Sequence, residues 1–431
     1  MDDLDKQNTL ADRVGFITLL VILLICALCL IIILSQDNEK SQVQTEEIPT
    51  EVVNTMKQSN FDEITSPYSA YGNILVSIKN SEDSANITFS PYSLKLALLL
   101  AEEGTEQGSE ISNNILKLLG VEEYNSAELS KTLKVISEKP ELNIVNSIWY
   151  DSTKIDVKNS AYFGKIKELY NADAFEAELT TDDFVKEFNA YVAKNTHNLI
   201  PIMLSEPLSS DGAALIADVL YFKDKWYYNF KPEDTQLGTF GSNENAEIMY
   251  NSAHYPHVLG YLGFDVVRLP YEDSGLVMDV YQSTSDIDSL ALLADLNESD
   301  MNALLSLDNV DLSTNTNVNL SFPKFNTRNK IGMKPVLESI GFKDIFAEGD
   351  NFPKIAKDLY ISDIAQSAKI ICDEEGTEAA AVTTVTMDML SAALPEDFIN
   401  IDINKPFVYA IRDFDSNEII FLGYISDVDE R

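Results

Sequence analysis

Hydrophobic and polar positions divide the chain into three regimes. Residues 15–34, GFITLLVILLICALCLIIIL, form an unbroken apolar run of 20 residues without a charge. Residues 35–60 are polar and acidic with no sustained period. From residue 61 to 431 the pattern alternates between helical and strand spacing. Tyr68, Tyr71, Ile74, Leu75 and Ile78 recur at helical intervals and predict a helix over 66–80. Residues 94–103 and 111–119 predict a second helical pair around Gly104. Strand-like runs fall at 265–269, 276–281, 318–322, 407–411 and 418–425. The last two flank the turn-rich Asp413-Phe414-Asp415-Ser416-Asn417 and predict a carboxy-terminal hairpin. With helices mostly first and strands mostly later, the pattern predicts an α+β fold. No repeat of 20–50 residues is visible, which excludes a solenoid or propeller.

The apolar run spans roughly 30 Å as a helix, the thickness of a bilayer's hydrocarbon core. It is longer than an ordinary signal-peptide core and is followed by Ser35-Gln36-Asp37, with no small-x-small cleavage site. Cys26 and Cys29 lack the preceding small residue of a lipoprotein site. The expectation is a transmembrane anchor or uncleaved signal at 15–34, after a short tail at 1–14. Lys6 and Arg13 precede the run and only Lys40 closely follows it, which places the tail in the cytoplasm and the rest outside. Residues 35–60 then serve as an acidic flexible tether with a reach of roughly 25–30 Å. Secretion is the alternative if the anchor is cleaved.

Charge narrows the partners. Lys and Arg total 31 against 70 Asp and Glu, so the formal charge is 31 − 70 = −39. Nucleic acid is bound by neutralising phosphates, so this balance argues against it. Hydrophobic residues make up 45% of the chain, enough for a large core. Cys372 is the one cysteine outside the apolar run, so the soluble part has no internal disulfide. Phosphate-binding glycine loops, a G-x-S-x-G elbow and an H-E-x-x-H pair are all missing. His254 and His257 are spaced to share a helical face as metal ligands; the plainer reading is two partly exposed histidines in a tyrosine-rich loop. No catalytic residue, cofactor or metal site is assigned. Asn86, Asn297 and Asn319 lie in glycosylation sequons, which matter only in a secretory eukaryotic setting.

The informative stretch is 373–391, DEEGTEAAAVTTVTMDMLS. Taken as a strand, one face carries Thr377, Ala379, Ala381, Thr383, Val385, Met387 and Met389, all uncharged and small at the start. The other face carries Glu378 and Asp388. Val and Thr favour extended structure, while Glu-Gly-Thr-Glu-Ala-Ala-Ala reads helically. Such ambivalence suits a segment with two conformations, and an ordinary strand or helix is equally compatible with it.

Glu374-Glu375-Gly376-Thr377-Glu378-Ala379-Ala380-Ala381 resembles the reactive-loop hinge of the serpins. The resemblance spans about residues 62–428. Asn86-Ile87-Thr88-Phe89-Ser90-Pro91-Tyr92-Ser93 is similar to the family's N-x-x-x-S-P-x-S. Phe188-Asn189-Ala190-Tyr191-Val192, with Thr196 and Ile200, resembles I-N-x-W-V-x-x-x-T-x-G-x-I. Residues 219–226, VLYFKDKW, resemble the strand ending in K-G-K-W, and Pro323-Lys324-Phe325 matches P-K-F. Asn404-Lys405-Pro406-Phe407 with Phe421-Leu422-Gly423 resembles the carboxy-terminal signature.

That resemblance implies a single-domain α+β serpin fold at 61–431, with a large central mixed sheet, further sheets, surrounding helices and an exposed reactive loop at about 374–400. It also implies a suicide inhibitor of serine proteases, not an enzyme, with a cysteine protease as the alternative target. The protease cleaves the loop, is acylated, and is carried away as the loop enters the sheet; serpin loop insertion is itself a well-known case of strand addition and of released strain. Gly376 would be the pivot, and Thr377, Ala379 and Ala381 the residues that enter first. Counting fourteen beyond Gly376 gives Leu390 as bait and Leu390–Ser391 as the scissile bond, with Met387 and Met389 as rivals. Leucine suits a chymotrypsin-like or elastase-like pocket, and no basic residue between 373 and 404 suits trypsin-like targets. Ser90, Ser93, Asp218 and Gln366 fall where the family's sheet opens, with Asp218 replacing the common Asn and Gln366 the common His. Tyr191 stands for Trp, Asn198 for Gly and Asp224 for Gly. Cys372 is expected to be a buried strand residue. A monomer without a cofactor is expected, and the competing reading is a serpin-fold binding protein cleaved as a simple substrate.

Overall fold

The computed structural model describes residues 61–428 apart from 62–63, 155–159, 197, 199, 210–212, 315, 358 and 378–397. The apolar run at 15–34, the tether, and the positions Glu378, Ala379, Ala380, Ala381, Met387, Met389, Leu390 and Ser391 lie outside the described residues.

Ser66 caps α1 (Pro67–Ser81) by accepting from the Tyr68 N–H at 3.2 Å, and Pro67 occupies the first turn, where a missing N–H costs no helical bond. After β1 (Ile87–Phe89), Ser90 caps α2 (Pro91–Gly104) through the Ser93 N–H at 3.0 Å. α2 is buried on nearly every side, as a helix apolar all round must be. Next come α3 (Glu110–Leu118), α4 (Ser126–Ser137), β2 (Leu142–Tyr150), α5 (Ser160–Tyr170), β3 (Asp173–Glu176), α6 (Asp182–Asn195), β4 (Ala214–Phe222) and β5 (Asp224–Lys225). Strands β6 (Gln236–Phe240), β7 (Asn243–Ala253), β8 (His257–Tyr261), β9 (Phe264–Pro270) and β10 (Leu276–Ser283) lead into α7 (Ser289–Asp295) and α8 (Glu298–Ser306). The chain continues through β11 (Asn317–Pro323), β12 (Phe325–Gly332), α9 (Met333–Ser339), β13 (Asp363–Cys372), β14 (Gly376–Thr377), β15 (Phe398–Asp402), β16 (Phe407–Asp413) and β17 (Ile419–Ile425).

These strands form three sheets. The largest runs β3-β2-β4-β13-β14-β5, with β12 also on β13; β2/β3 and β4/β13 are parallel and the other pairs antiparallel. A six-stranded antiparallel sheet runs β1-β17-β16-β10-β9-β8, and a four-stranded sheet β15-β11-β7-β6. The predicted α+β class holds, but the predicted segregation does not, since β2, β3 and β4 interleave with the early helices. Alternation along β4 explains how the large sheet is held. Ile216 and Leu220 join the main core with the leucines of α2, while Leu215, Ala217 and Val219 pack against Phe184, Phe188 and Val192 of α6.

The loop reading of the two histidines holds for His254 and fails for His257. His254 and His257 do not share a helical face: His254 is an exposed connecting residue, and His257 opens β8, buried, with Nδ1 2.8 Å from the Tyr255 carbonyl. Among the described residues no group of three or more His, Cys, Asp or Glu is placed to hold a metal, and no helix is long and apolar enough to cross a membrane.

Candidate functional site: the hinge and the seam of the large sheet

β13 ends at Cys372 and the chain reverses within three residues. Asp373 makes the turn possible: its Oδ1 accepts from the N–H of Glu375 at 2.9 Å and of Gly376 at 3.3 Å, and its own N–H donates to the Gly376 carbonyl at 3.0 Å. The returning β14 lies antiparallel between β13 and β5, pairing Cys372 with Thr377, Gly376 with Lys225 and Thr377 with Asp224. A Cβ at Gly376 would sit 2.1 Å from the Asp224 carbonyl oxygen and 2.6 Å from the Lys225 Cα. Both obstacles are backbone, so only glycine lets the chain pass this close.

The turn is tied down from three sides. The Trp226 backbone N–H donates to the Glu375 carbonyl and its indole N–H to the Asp373 carbonyl, both at 2.9 Å; the Phe230 N–H donates to the Glu374 carbonyl at 3.1 Å. Glu374 accepts from Thr235 Oγ1 at 2.7 Å and pairs with Lys324 Nζ at 3.2 Å. Burial alone would raise the pKa of Glu374, but Thr235 and Lys324 outweigh it and leave the carboxyl below its ordinary value. Thr377 is fully buried, its hydroxyl 2.7 Å from that of Tyr271. Cys372 is the expected buried strand residue, and burial pushes its thiol pKa up, which makes it a poor nucleophile.

Asp224 has a structural role. Its Oδ1 accepts from the Lys225 N–H at 2.7 Å, and its Oδ2 from the N–H groups of Ser274 at 2.8 Å and Asp273 at 3.3 Å, so one carboxylate joins the hinge shelf to the β9–β10 turn. Tyr191 contacts Trp149 and Phe175 edge-on and donates to Asp173 at 3.0 Å. Asn198 has φ 64°, the left-handed backbone expected of it.

The four residues predicted for sheet opening converge beneath α2. Gln366 on β13 is register partner to Asp218 on β4. The Gln366 Oε1 accepts from the Ser90 N–H at 2.8 Å and its Nε2 donates to the Ser90 carbonyl at 2.8 Å. Ser90 Oγ donates to the Ile420 carbonyl at 2.6 Å, tying the cluster to β17. Asp218, 1% exposed, differs: neither carboxylate oxygen has a hydrogen-bond partner. Burial pushes its pKa up to about 7, with Ser93 offsetting a little of the effect from a position short of hydrogen-bond geometry.

Sequence reasoning missed Asn146, the register partner of Asp218 on β2, and the hinge supports Thr235, Tyr271 and Trp226 Nε1. For Asn146 the available signal was an Asn-Ser pair, Asn146-Ser147, interrupting the apolar positions of 144–150. For the others, contacts across more than 100 residues left no local trace.

Comparison with known proteins places this geometry. The family profile described as Serpin (serine protease inhibitor) matches residues 72–428. Iripin-3 of Ixodes ricinus is 28% identical over 389 residues, covering 85% of this chain and 95% of that protein. The leukocyte elastase inhibitor of Xenopus tropicalis is 26% identical, covering 81% and 95%. Among solved structures, Serpin48 of the insect Tenebrio molitor, titled a highly specific serpin, superposes with a TM-score of 0.72 at 23% identity, covering 89% of this chain and all of that one.

Proposed function

Because this chain belongs to the serpin family, we propose that it is a suicide inhibitor of serine proteases that uses residues 374–400 as bait. The observation that carries this reading is β14: the first hinge residues already form a strand of the large sheet, with Gly376 and Thr377 small, uncharged and buried between β13 and β5. Insertion needs side chains that can enter a closing sheet, and a bulky or charged residue here would oppose it. The target's catalytic serine attacks the Leu390 carbonyl, the Leu390–Ser391 bond breaks, and the new amine leaves on Ser391 while Leu390 stays as an ester on the protease. Thr377, Ala379 and Ala381 then enter the sheet and draw the acyl-enzyme with them before water can release it. Met387 and Met389 are the rival bait positions. A leucine bait fits chymotrypsin-like and elastase-like targets, and a cysteine protease is the second class to try. The leukocyte elastase inhibitors among the relatives support such a target class. The 20-residue uncharged run at 15–34 supports attachment to a membrane, with a monomeric serpin domain on the extracytoplasmic side.

The test is to express residues from about 45 onward and mix them with chymotrypsin and with pancreatic elastase. A complex stable on denaturing gels, with a released peptide beginning at Ser391, is expected. A stable complex with another peptide start keeps the mechanism and moves the bait. Clean cleavage without complex, across a wider serine and cysteine protease panel, rejects inhibition and leaves a binding protein.

A further inference from the structure

The seam between β4 and β13 carries a carboxylate where its neighbours offer amides and hydroxyls. Register puts Asn146 of β2, Asp218 of β4 and Gln366 of β13 in one row across the sheet, on the face covered by α2. The groups near Asp218 are Ser93 and Tyr92 from α2, Asn146 from β2 and Gln366 from β13, and among the described residues no cation contributes to its titration. Gln366 binds both backbone groups of Ser90. What remains is a set of buried atoms without partners: both Asp218 oxygens, Ser93 Oγ and Asn146 Oδ1. An ionised carboxylate only accepts hydrogen bonds, so ionised Asp218 leaves the acceptor on Asn146 empty-handed. A protonated carboxyl donates one, and Asn146 Oδ1, an acceptor without a partner on the residue paired in register with Asp218, can take it; the Ser93 hydroxyl favours the ionised form but does not offset burial.

We propose that Asp218 is a positioning residue that gates the seam by its proton: protonated, it completes the polar row and holds β4 against β13; ionised, it favours parting of the two strands. The inference rests on the loop-insertion reading above, because β4 and β13 are the pair that separates. Its direction follows from linkage. Burial lifts the folded pKa to about 7, so the folded chain holds a proton that an unfolded aspartate gives up near pH 4. The closed sheet is therefore favoured at low pH, and this contribution is lost as pH rises through about 7. An opened seam lets water or an entering strand reach the carboxylate, so opening is favoured above that value.

The test uses the purified chain from about residue 45 and a synthetic peptide with the sequence of residues 377–390, whose insertion into the sheet is followed with time. Between about pH 5.5 and pH 8.5 the insertion rate is expected to rise at least about tenfold, with a midpoint near 7. Asp218→Asn is expected to lose that midpoint, keeping at most a dependence near pH 6 from Asp363, which lies on β13 in the same seam and is pushed up to about 6 by burial. Infrared spectra give a second readout that needs no insertion: a protonated-carboxyl band that disappears with a midpoint near 7 and is missing from Asp218→Asn, distinct from the band of Asp363, which burial pushes up to only about 6. A flat wild-type profile, an Asp218→Asn profile matching wild type, or a missing band overturns the proposal. If the peptide inserts at no pH while the infrared band titrates as expected, the loop-insertion reading fails and the gate falls with it, although the proton assignment stands.

Discussion

Gly376→Ala isolates the hinge geometry. The added methyl would lie 2.1 Å from the Asp224 carbonyl oxygen, 2.9 Å from its carbon and 2.6 Å from the Lys225 Cα, all atoms of one peptide unit of β5. No flexible side chain can yield, so β14 must leave β5. Departure breaks the Gly376–Lys225 and Thr377–Asp224 pairing, the Trp226 N–H bond to Glu375, and the Thr377–Tyr271 hydroxyl contact. At about 1 kcal/mol net for each hydrogen bond, two to four of them amount to about 2–4 kcal/mol. The Trp226 amide reports the event directly, since its hydrogen exchange is protected only while the hinge is seated. That energy corresponds to a loss of protection of roughly 30- to 700-fold at Trp226. Amides in β16 and β17 belong to another sheet and are expected to keep their protection. A Gly376→Ala chain with wild-type protection at Trp226 would refute the claim that backbone contact excludes a side chain here.

Further outcomes follow from neighbouring groups. Asp224→Gly, which restores the residue common in the family, is expected to destabilise this chain by about 2–3 kcal/mol, because three backbone N–H groups lose their acceptor; chemical denaturation measures this, and an unchanged midpoint would count against the bridging role. Cys372, buried with a raised thiol pKa, is expected to resist a water-soluble thiol reagent at pH 8 in a chain starting near residue 45 and to react at once after denaturation. Rapid labelling of the native chain would place the thiol elsewhere. Asn86 is expected to carry no glycan in the folded chain: it is buried, its Nδ2 donates to the Asp427 carbonyl, and its Oδ1 accepts from the N–H groups of Ser426 and Asp427 at 3.0 Å. Intact mass after secretion from a glycosylating host checks this, and a glycan mapped to Asn86 would contradict the burial.

Legibility in the sequence tracks how apolar each element is. Helical spacing predicts α1 at 66–80 and it lies at Pro67–Ser81; β9, β10, β11, β16 and β17 all appear where apolar runs place them. β12 escapes the pattern because the middle of its buried face is polar, between Phe325 and Ile331. Thr327 and Asn329 point inward and both bind Thr88: Thr327 Oγ1 meets Thr88 Oγ1 at 2.5 Å, and Asn329 Oδ1 accepts from the Thr88 N–H at 2.8 Å. Hydrophobic periodicity reads those positions as exposed. β7 escapes it for a different reason, since its sheet leaves one face open and its sequence, NENAEIMYNSA, reads as a loop. The hinge is legible only through the family resemblance, because β14 is two residues long and its β5 partners lie more than 100 residues away.

The distribution of satisfied and unsatisfied groups follows the division of labour that the proposed mechanism needs. β10, β16 and β17 are buried along their whole lengths, and the charge inside that sheet is paired: Asp279 accepts from Arg268 Nε at 2.6 Å and Nη2 at 2.9 Å and lies 2.8 Å from Arg412 Nε as an ion pair. Arg412 Nη1 and Nη2 donate to the Ser306 and Leu305 carbonyls, although Arg412 Nε itself makes no aligned hydrogen bond. The large sheet is built otherwise. Its seam is parallel, it buries a carboxylate with no partner, and its far end is plugged by two residues held by a turn. A group buried without compensation raises the free energy of the state that buries it. Placing such a group between β4 and β13 concentrates the weakness where parting is required and spares the sheet that must stay intact. Repairing the seam should then stabilise the chain and slow insertion together, the trade between stability and activity expected wherever a strained arrangement does the functional step.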